Sequence, residues 1–245
     1  MTSPTGKKAS SRVSEVYVQL RREILAARFA PGEHLHISAL RERFGVSLSV
    51  VREALIRLAE QRLVRSEPQI GFFVVPLDEA TLLDLYQVRI HVETLALRLA
   101  IEKAGVPWES SVVAALHTLG RTPQHVAGDN TEMTEDWAGA HAEFHRSLAS
   151  GCASPLLMDI RAGLYDASEL YRRWAQPVVR DTRDVHADHT AIAEAALARD
   201  PDRATGLLEQ HLRGTADALL AGGLDPVFSG RLSPRAVKAK TVRHQ

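Results

Sequence analysis

His141 and His145 lie four residues apart in the segment HAEFH, with Glu143 between them. Two imidazoles at this spacing stand about 40° apart on one helical face and could share a metal ion. The segment is one position away from the H-E-x-x-H motif of zinc hydrolases, whose glutamate follows the first histidine and acts as general base. Here the glutamate comes one residue later, so it points about 200° away from His141 and cannot serve an ion that the histidines share. That offset argues against a metal-dependent hydrolase. It leaves open a metal site of another kind, or two ordinary imidazoles on one helix face. Two further histidines, His189 and His211, sit in later helical patterns, "DHTAIAEAALARD" and "TGLLEQHL". Four histidines on three helices of a bundle can converge on one interior point. His91, His117, His125 and His186 have no comparable pattern and read as solvated or structural.

The elements that must position these residues are helical. From Asp78 to about Lys103, apolar side chains recur at Leu82, Leu85, Val88, Val92, Leu95 and Leu99, a helical period. Pro107 opens the next helix, and "GRTPQHVAGDNTE" reads as a polar loop. Helices are expected over roughly 131–150, 155–174, 181–199 and 201–221, with Asp200-Pro201 as cap and first residue and Gly222-Gly223 as the stop. No strand pattern is evident in this half, which reads as an all-α antiparallel bundle over 77–223. Cys152, the lone cysteine, lies between two of the helical patterns and reads as a small structural residue.

The front of the chain differs. Val16, Leu20, Ile24 and Leu25 mark a helix from Ser14 to Ala27, which Pro31-Gly32 ends. Ser38 is the expected cap of a short helix, "ALRERF", that stops at Gly45. Ser47 or Ser49 caps the next, whose Val51, Ala54, Leu55 and Leu58 form a buried stripe. Two short helices about a Gly-Val-Ser turn are a helix-turn-helix, and "LVRSEPQIGFFVV" adds two short strands as a wing. The start of the second helix would enter the DNA major groove. Its serine hydroxyls and free N–H groups suit phosphate oxygens, and Arg52, one turn in, suits guanine or phosphate. Arg43, Ser47, Ser49, Val50 and Arg52, with Gly71 of the wing, are the candidate DNA contacts. The bland alternative for Arg52 is an ion pair with Glu53 or Glu60.

Charge follows the same division. Residues 1–76 hold 12 Lys+Arg against 7 Asp+Glu, residues 77–225 hold 13 against 23, and residues 226–245 hold five basic residues and no acid. A basic front on an acidic body suits a nucleic-acid module joined to one that avoids nucleic acid. Residues 1–12 are expected to be a flexible arm, 13–76 the winged unit and 224–245 a basic, disordered tail. No run approaches the ~20 apolar residues of a membrane span, and no secretory signal precedes the first helix. A single cysteine suits a reducing compartment, so the expected location is the cytoplasm.

The segment "PGEHL…LRERFGVSLSVVREALIRLAEQRLV" resembles the winged helix of GntR-type transcription regulators over about 60 residues. Relatives usually carry Arg where Leu48 stands and Gly where Arg62 stands. The body resembles the FCD effector domain of the FadR subgroup through "VRIHVE", "FHRSL", Ser154-Pro155 and the His189–His211 pattern. The resemblance implies a homodimer on a pseudo-palindromic operator in double-stranded DNA, with a metal and a small carboxylate metabolite in the body. It carries metal ligation over to His145, His189 and His211. His141 stands where relatives have Asp, and Ser154 where Asn is usual. With His141 as fourth ligand the donor set is all neutral nitrogen, favouring Zn²⁺, with Ni²⁺ or Cu²⁺ next; with His141 swung out it is three-histidine. Arg89 would be the carboxylate's second clamp, alongside or instead of an i,i+4 pair with Glu93.

Overall fold

The computed structural model describes residues 4–76, 78–176 and 183–222. The chain divides at Asp78/Glu79 into two compact units.

The first unit packs three helices, α1 (Pro4–Leu25), α2 (Ile37–Phe44) and α3 (Leu48–Glu60), with an antiparallel pair, β1 (Val64–Glu67) and β2 (Gly71–Val74). Its core is the predicted stripe, Val16, Leu20 and Ile24 of α1 against Val51, Ala54, Leu55 and Leu58 of α3. Two boundaries differ from the sequence reading. The helix already runs from Pro4, through much of the expected flexible arm. The N-cap of α2 is His36 rather than Ser38, in extended backbone conformation and without a side-chain cap hydrogen bond. Gly45 ends α2 in the left-handed conformation at φ 61°, and Ser47 caps α3 by accepting a bond from the Val50 amide.

The second unit holds α4 (Glu79–Lys103), α5 (Val106–Arg121), α6 (Glu135–Ser150), α7 (Pro155–Ala175), α8 (Val185–Leu197) and α9 (Pro201–Ala221). Proline at the first turn and a side-chain cap open α7 and α9, through Ser154 and Asp200. The expected polar loop instead contains a short antiparallel pair, β3 (His125–Val126) and β4 (Asp129–Met133), turning at Gly128 with φ 84°. Its strands are short and mostly polar in sequence, so no period-2 apolar signal marks them. Thr134 then caps α6, four residues later than expected. Residues 181 and 182, the expected start of α8, and the tail from 224 lie outside the described residues. Cys152 is buried against Ala96 and Ala149, the structural role its sequence suggested.

α4 departs most from its apolar period. The face it buries carries Leu82, Tyr86, Arg89, Ile90, Glu93 and Ala96, while Val88 and Leu95, both in the predicted stripe, are 42% and 49% exposed. The apolar stripe thus flanks the buried face, and an ion pair occupies its middle.

In the wing, Gly71 has φ 141°, and a Cβ there would lie 2.5 Å from the His34 Nε2. Gly71→Ala is expected to destabilise the winged unit by about 1–3 kcal/mol through strain and overlap. Urea unfolding should show the loss, and His34→Ala in the same chain should restore part of it.

Candidate functional site

α6 supplies two histidines one turn apart, α8 supplies one in its second turn, and α9 supplies one at mid-length. Each helix turns them inward because Phe144 and Leu148, Ile192 and Ala193, and Leu208 and Leu212 share their buried faces. His141, His145, His189 and His211 thereby meet at one point, with one candidate ligand atom from each lying within 4.8 Å of all the others. All four are at most 5% exposed. Tetrahedral coordination at ~2.0–2.1 Å places nitrogens roughly 3.3 Å apart, so modest contraction would close the set on an ion.

Burial holds all four imidazoles below their usual pKa range, and neighbouring cations, among them the other histidines and Arg172, add to it. Only His211 has an opposing influence, its ion-pair partner Asp188. In neutral form His211 donates Nδ1–H to Asp188 Oδ2 at 3.2 Å, which leaves the Nε2 lone pair free. Both ring nitrogens of His145, and Nε2 of His189, are buried without a hydrogen-bond partner. Such unsatisfied atoms leave lone pairs that an ion, a ligand or water could take up. Glu143 lies outside this point, half exposed and hydrogen-bonded to Arg146, as its helical offset predicted.

One wall of the cluster is cationic. Arg89 Nε donates to Glu93 Oε1 at 3.2 Å and its Nη1 to the Ser168 Oγ at 2.7 Å. Arg161 Nε donates to the other oxygen of the same carboxylate at 2.7 Å. Two guanidiniums therefore share one anion, and the Nη2 of each is buried and unpartnered. Both lie over the ring of Tyr165, at 4.9 and 5.5 Å. The Tyr86 hydroxyl is also buried and unpartnered. This arrangement, one uncompensated positive charge with free N–H donors, suits an anion.

Arg89 was legible in the sequence; Arg161, Tyr165 and Arg172 were not. They form, with Ser168 and Glu169, a polar stripe along α7 that is fully helical in period. Taken alone, such a stripe reads as a solvent-facing side.

Among the candidate DNA contacts, Ser47, Ser49 and Arg52 are exposed at the start of α3, and Val50 is half-buried. The Ser47 and Ser49 hydroxyls are 2.9 Å apart. Arg57, not Arg52, pairs with Glu53. Arg43 pairs with the buried carboxylate of Glu23 and lies over Phe44 at 5.2 Å. Leu48 is 51% exposed at the first position of α3. Among the described residues no helix is long and apolar enough to cross a membrane.

Residues 12–74 match the family described as bacterial regulatory proteins of the gntR family, and residues 84–214 match the FCD domain. The chain is 34% identical over 214 residues to the HTH-type transcriptional regulator BphR of Paraburkholderia xenovorans, covering 87% of each protein. It is 34% identical over 200 residues to the HTH-type transcriptional repressor GlaR of Escherichia coli, covering 80% of this chain and 90% of the relative. Among solved structures, a GntR regulator from Rhodococcus superposes with a TM-score of 0.70 at 25% identity, covering 86% of this chain and 98% of that one. E. coli McbR/YncC gives 0.71 at 19% identity, covering 90% and 99%, a likeness of fold.

The neutral cluster makes stability depend on pH. The four imidazoles stay unprotonated when folded but take protons near pH 6.5 when unfolded. Metal-free protein should therefore be most stable above about pH 6.5 and lose stability as pH falls, by up to about 1.4 kcal/mol per pH unit for each histidine. Urea unfolding across that range should show it, and His145→Gln with His189→Asn should flatten the slope. An unchanged slope would assign the pH dependence elsewhere.

Proposed function

The chain belongs to the GntR family of bacterial regulatory proteins and is a DNA-binding transcription regulator with an FCD domain, not an enzyme; from that premise we propose that a metal in the histidine cluster binds a small organic acid that sets its affinity for operator DNA. The observation that carries this reading is His145. A histidine with both nitrogens buried and unpartnered, beside three more imidazoles, is costly in a bare protein and satisfied by an ion. His145, His189 and His211, with His141 beside them in the cluster, are the residues that would surround the metal. Their neutral nitrogens favour Zn²⁺, with Ni²⁺ as the next candidate. The metal would supply a Lewis-acid centre for one oxygen of a carboxylate.

The shared Glu93 carboxylate supports the second half. Arg89 and Arg161, both over the Tyr165 ring, each retain a free buried N–H, and together with Tyr86 they would receive the rest of a carboxylate. The donors are fixed in advance, since each guanidinium is already anchored through its Nε.

In the winged unit, the α3 start would enter the major groove, with Ser47 and Ser49 on phosphates and Arg52 on a base edge or phosphate. Arg43, held by Glu23, would reach a backbone phosphate, and Gly71 would let the wing approach the DNA. Val50, beside Leu48, would make apolar contact. Leu48 would replace a polar base contact with an apolar one, which suits a thymine methyl group. A pseudo-palindromic operator calls for a homodimer. Val88 and Leu95 of α4, with Leu156 and Ile160 of α7, are apolar and exposed on two helices that pack together, a surface suited to a second copy. Such a regulator would act in the cytoplasm, where the operator is.

Elemental analysis of purified protein should find about one transition-metal ion per chain, lost in His145→Gln with His189→Asn. Gel-shift titration against a panel of small carboxylates should then show operator affinity change with one of them. Arg89→Met should abolish that response while leaving operator binding intact. Identical affinity with every acid, in metal-loaded protein, would sink the proposal. Arg52→Ala is expected to weaken operator binding by about 1–3 kcal/mol, measured in the same assay.

A further inference from the structure

One atom in the cluster is already occupied. His141 Nδ1 lies 3.0 Å from Arg172 Nη1 and 2.9 Å from the Tyr165 hydroxyl. A guanidinium can only donate, so Nδ1 accepts, and a neutral imidazole that accepts at Nδ1 carries its proton on Nε2. The Tyr165 O–H shares the same lone pair.

Building on the metal reading above, we propose that Arg172 withholds His141 from the metal, so that His145, His189 and His211 hold the ion and one coordination position stays open for an anion. The conclusion does not depend on which face of the ring meets the ion. Were Nδ1 to face it, the guanidinium would stand beside the ion's place and repel it. Were Nε2 to face it, the ring would present an N–H rather than a lone pair.

Arg172 is held where it is. Its Nη1 is 3.2 Å from Glu169 Oε2, and its guanidinium lies 5.6 Å from the Trp137 ring centroid. Trp137 in turn stacks on the His141 ring at 4.8 Å. Guanidinium, indole and imidazole thus form one packed assembly, and to ligate, His141 would have to break from it. Among the described residues, His211 is turned by Asp188 so that Nε2 is free, and neither ring nitrogen of His145 nor Nε2 of His189 meets a hydrogen-bond partner.

The distinction decides what the site can do. Four neutral nitrogens around Zn²⁺ complete a tetrahedron and close the site. Three leave a position for an exogenous oxygen, which a ligand-responsive centre requires. In this arrangement His141 is not a ligand, and where its Nε2 side faces the cluster its N–H would be a fixed donor to the anion, which makes it a positioning residue.

The test uses full-length protein stripped by chelator and reloaded with Co²⁺, read by visible absorption and by X-ray absorption for the number of imidazoles. Wild type and His141→Gln should give the same three-imidazole signature. Co²⁺ affinity should differ by less than about threefold between them, whereas His145→Gln should lose more than about 100-fold, beyond what a lost supporting hydrogen bond costs. Arg172→Met should admit the fourth imidazole. A fourth imidazole in wild type that His141→Gln removes would overturn the inference. Nitrogen-15 NMR of the metal-free wild type needs no variant: His141 protonated at Nε2 is expected, and protonation at Nδ1 would also overturn it. Failure of folded wild type to bind Co²⁺ would instead overturn the metal reading, and this inference with it.

Discussion

Four imidazoles crowded into one dry point impose the constraint around which the helical unit is arranged. Desolvation favours their uncharged forms, so the cluster is a set of lone pairs and N–H groups shielded from bulk solvent. The helices that carry them cannot drift apart without exposing Phe144, Ile192 and Leu208, which share their buried faces. α9 packs against both α4 and α8, so the histidine of α9 is tied to the wall that bears Arg89. Asp188 and Arg183 close the far side, where Arg183 donates to the His211 carbonyl and to Thr215.

The cationic wall follows from the same constraint. Buried ion pairs contribute little net stability, because desolvation offsets their attraction. Glu93 serves two arginines at once, so stability alone does not account for the arrangement. Its effect is positional: it anchors both guanidiniums by their Nε atoms and leaves an Nη2 of each unused beside Tyr165. Glu169 plays a comparable part on the next turns of α7, pairing with both Arg172 and Arg173. α7 thus carries Arg161, one of the guanidiniums that would meet an anion, and Arg172, the group on His141, while Arg89 and Tyr86 come from α4.

The winged unit obeys simpler rules. Local chemistry is enough to end α2 at Gly45, start α3 at Ser47 and allow the approach of His34 to Gly71. What it presents is correspondingly plain: hydroxyls, an unengaged Arg52 and an exposed leucine at one helix end.

Much of this was legible in the residue order. Apolar period and capping chemistry placed most helices, and the helical offset of Glu143 excluded it as a base, because these are properties of one element at a time. The departures came where a signal had no apolar face behind it, as in the β3–β4 pair, or where the buried face was itself polar. On α4 the flanking apolar residues outnumbered the buried ion pair and rotated the reading. On α7 a stripe of Arg, Tyr, Ser and Glu looked like a surface. Sequence alone determined that four histidines occur in helices able to converge. Only the tertiary structure decided that α7 closes over them and that Arg172 reaches His141, since distances between remote segments, and which lone pair a donor occupies, are written in no local pattern.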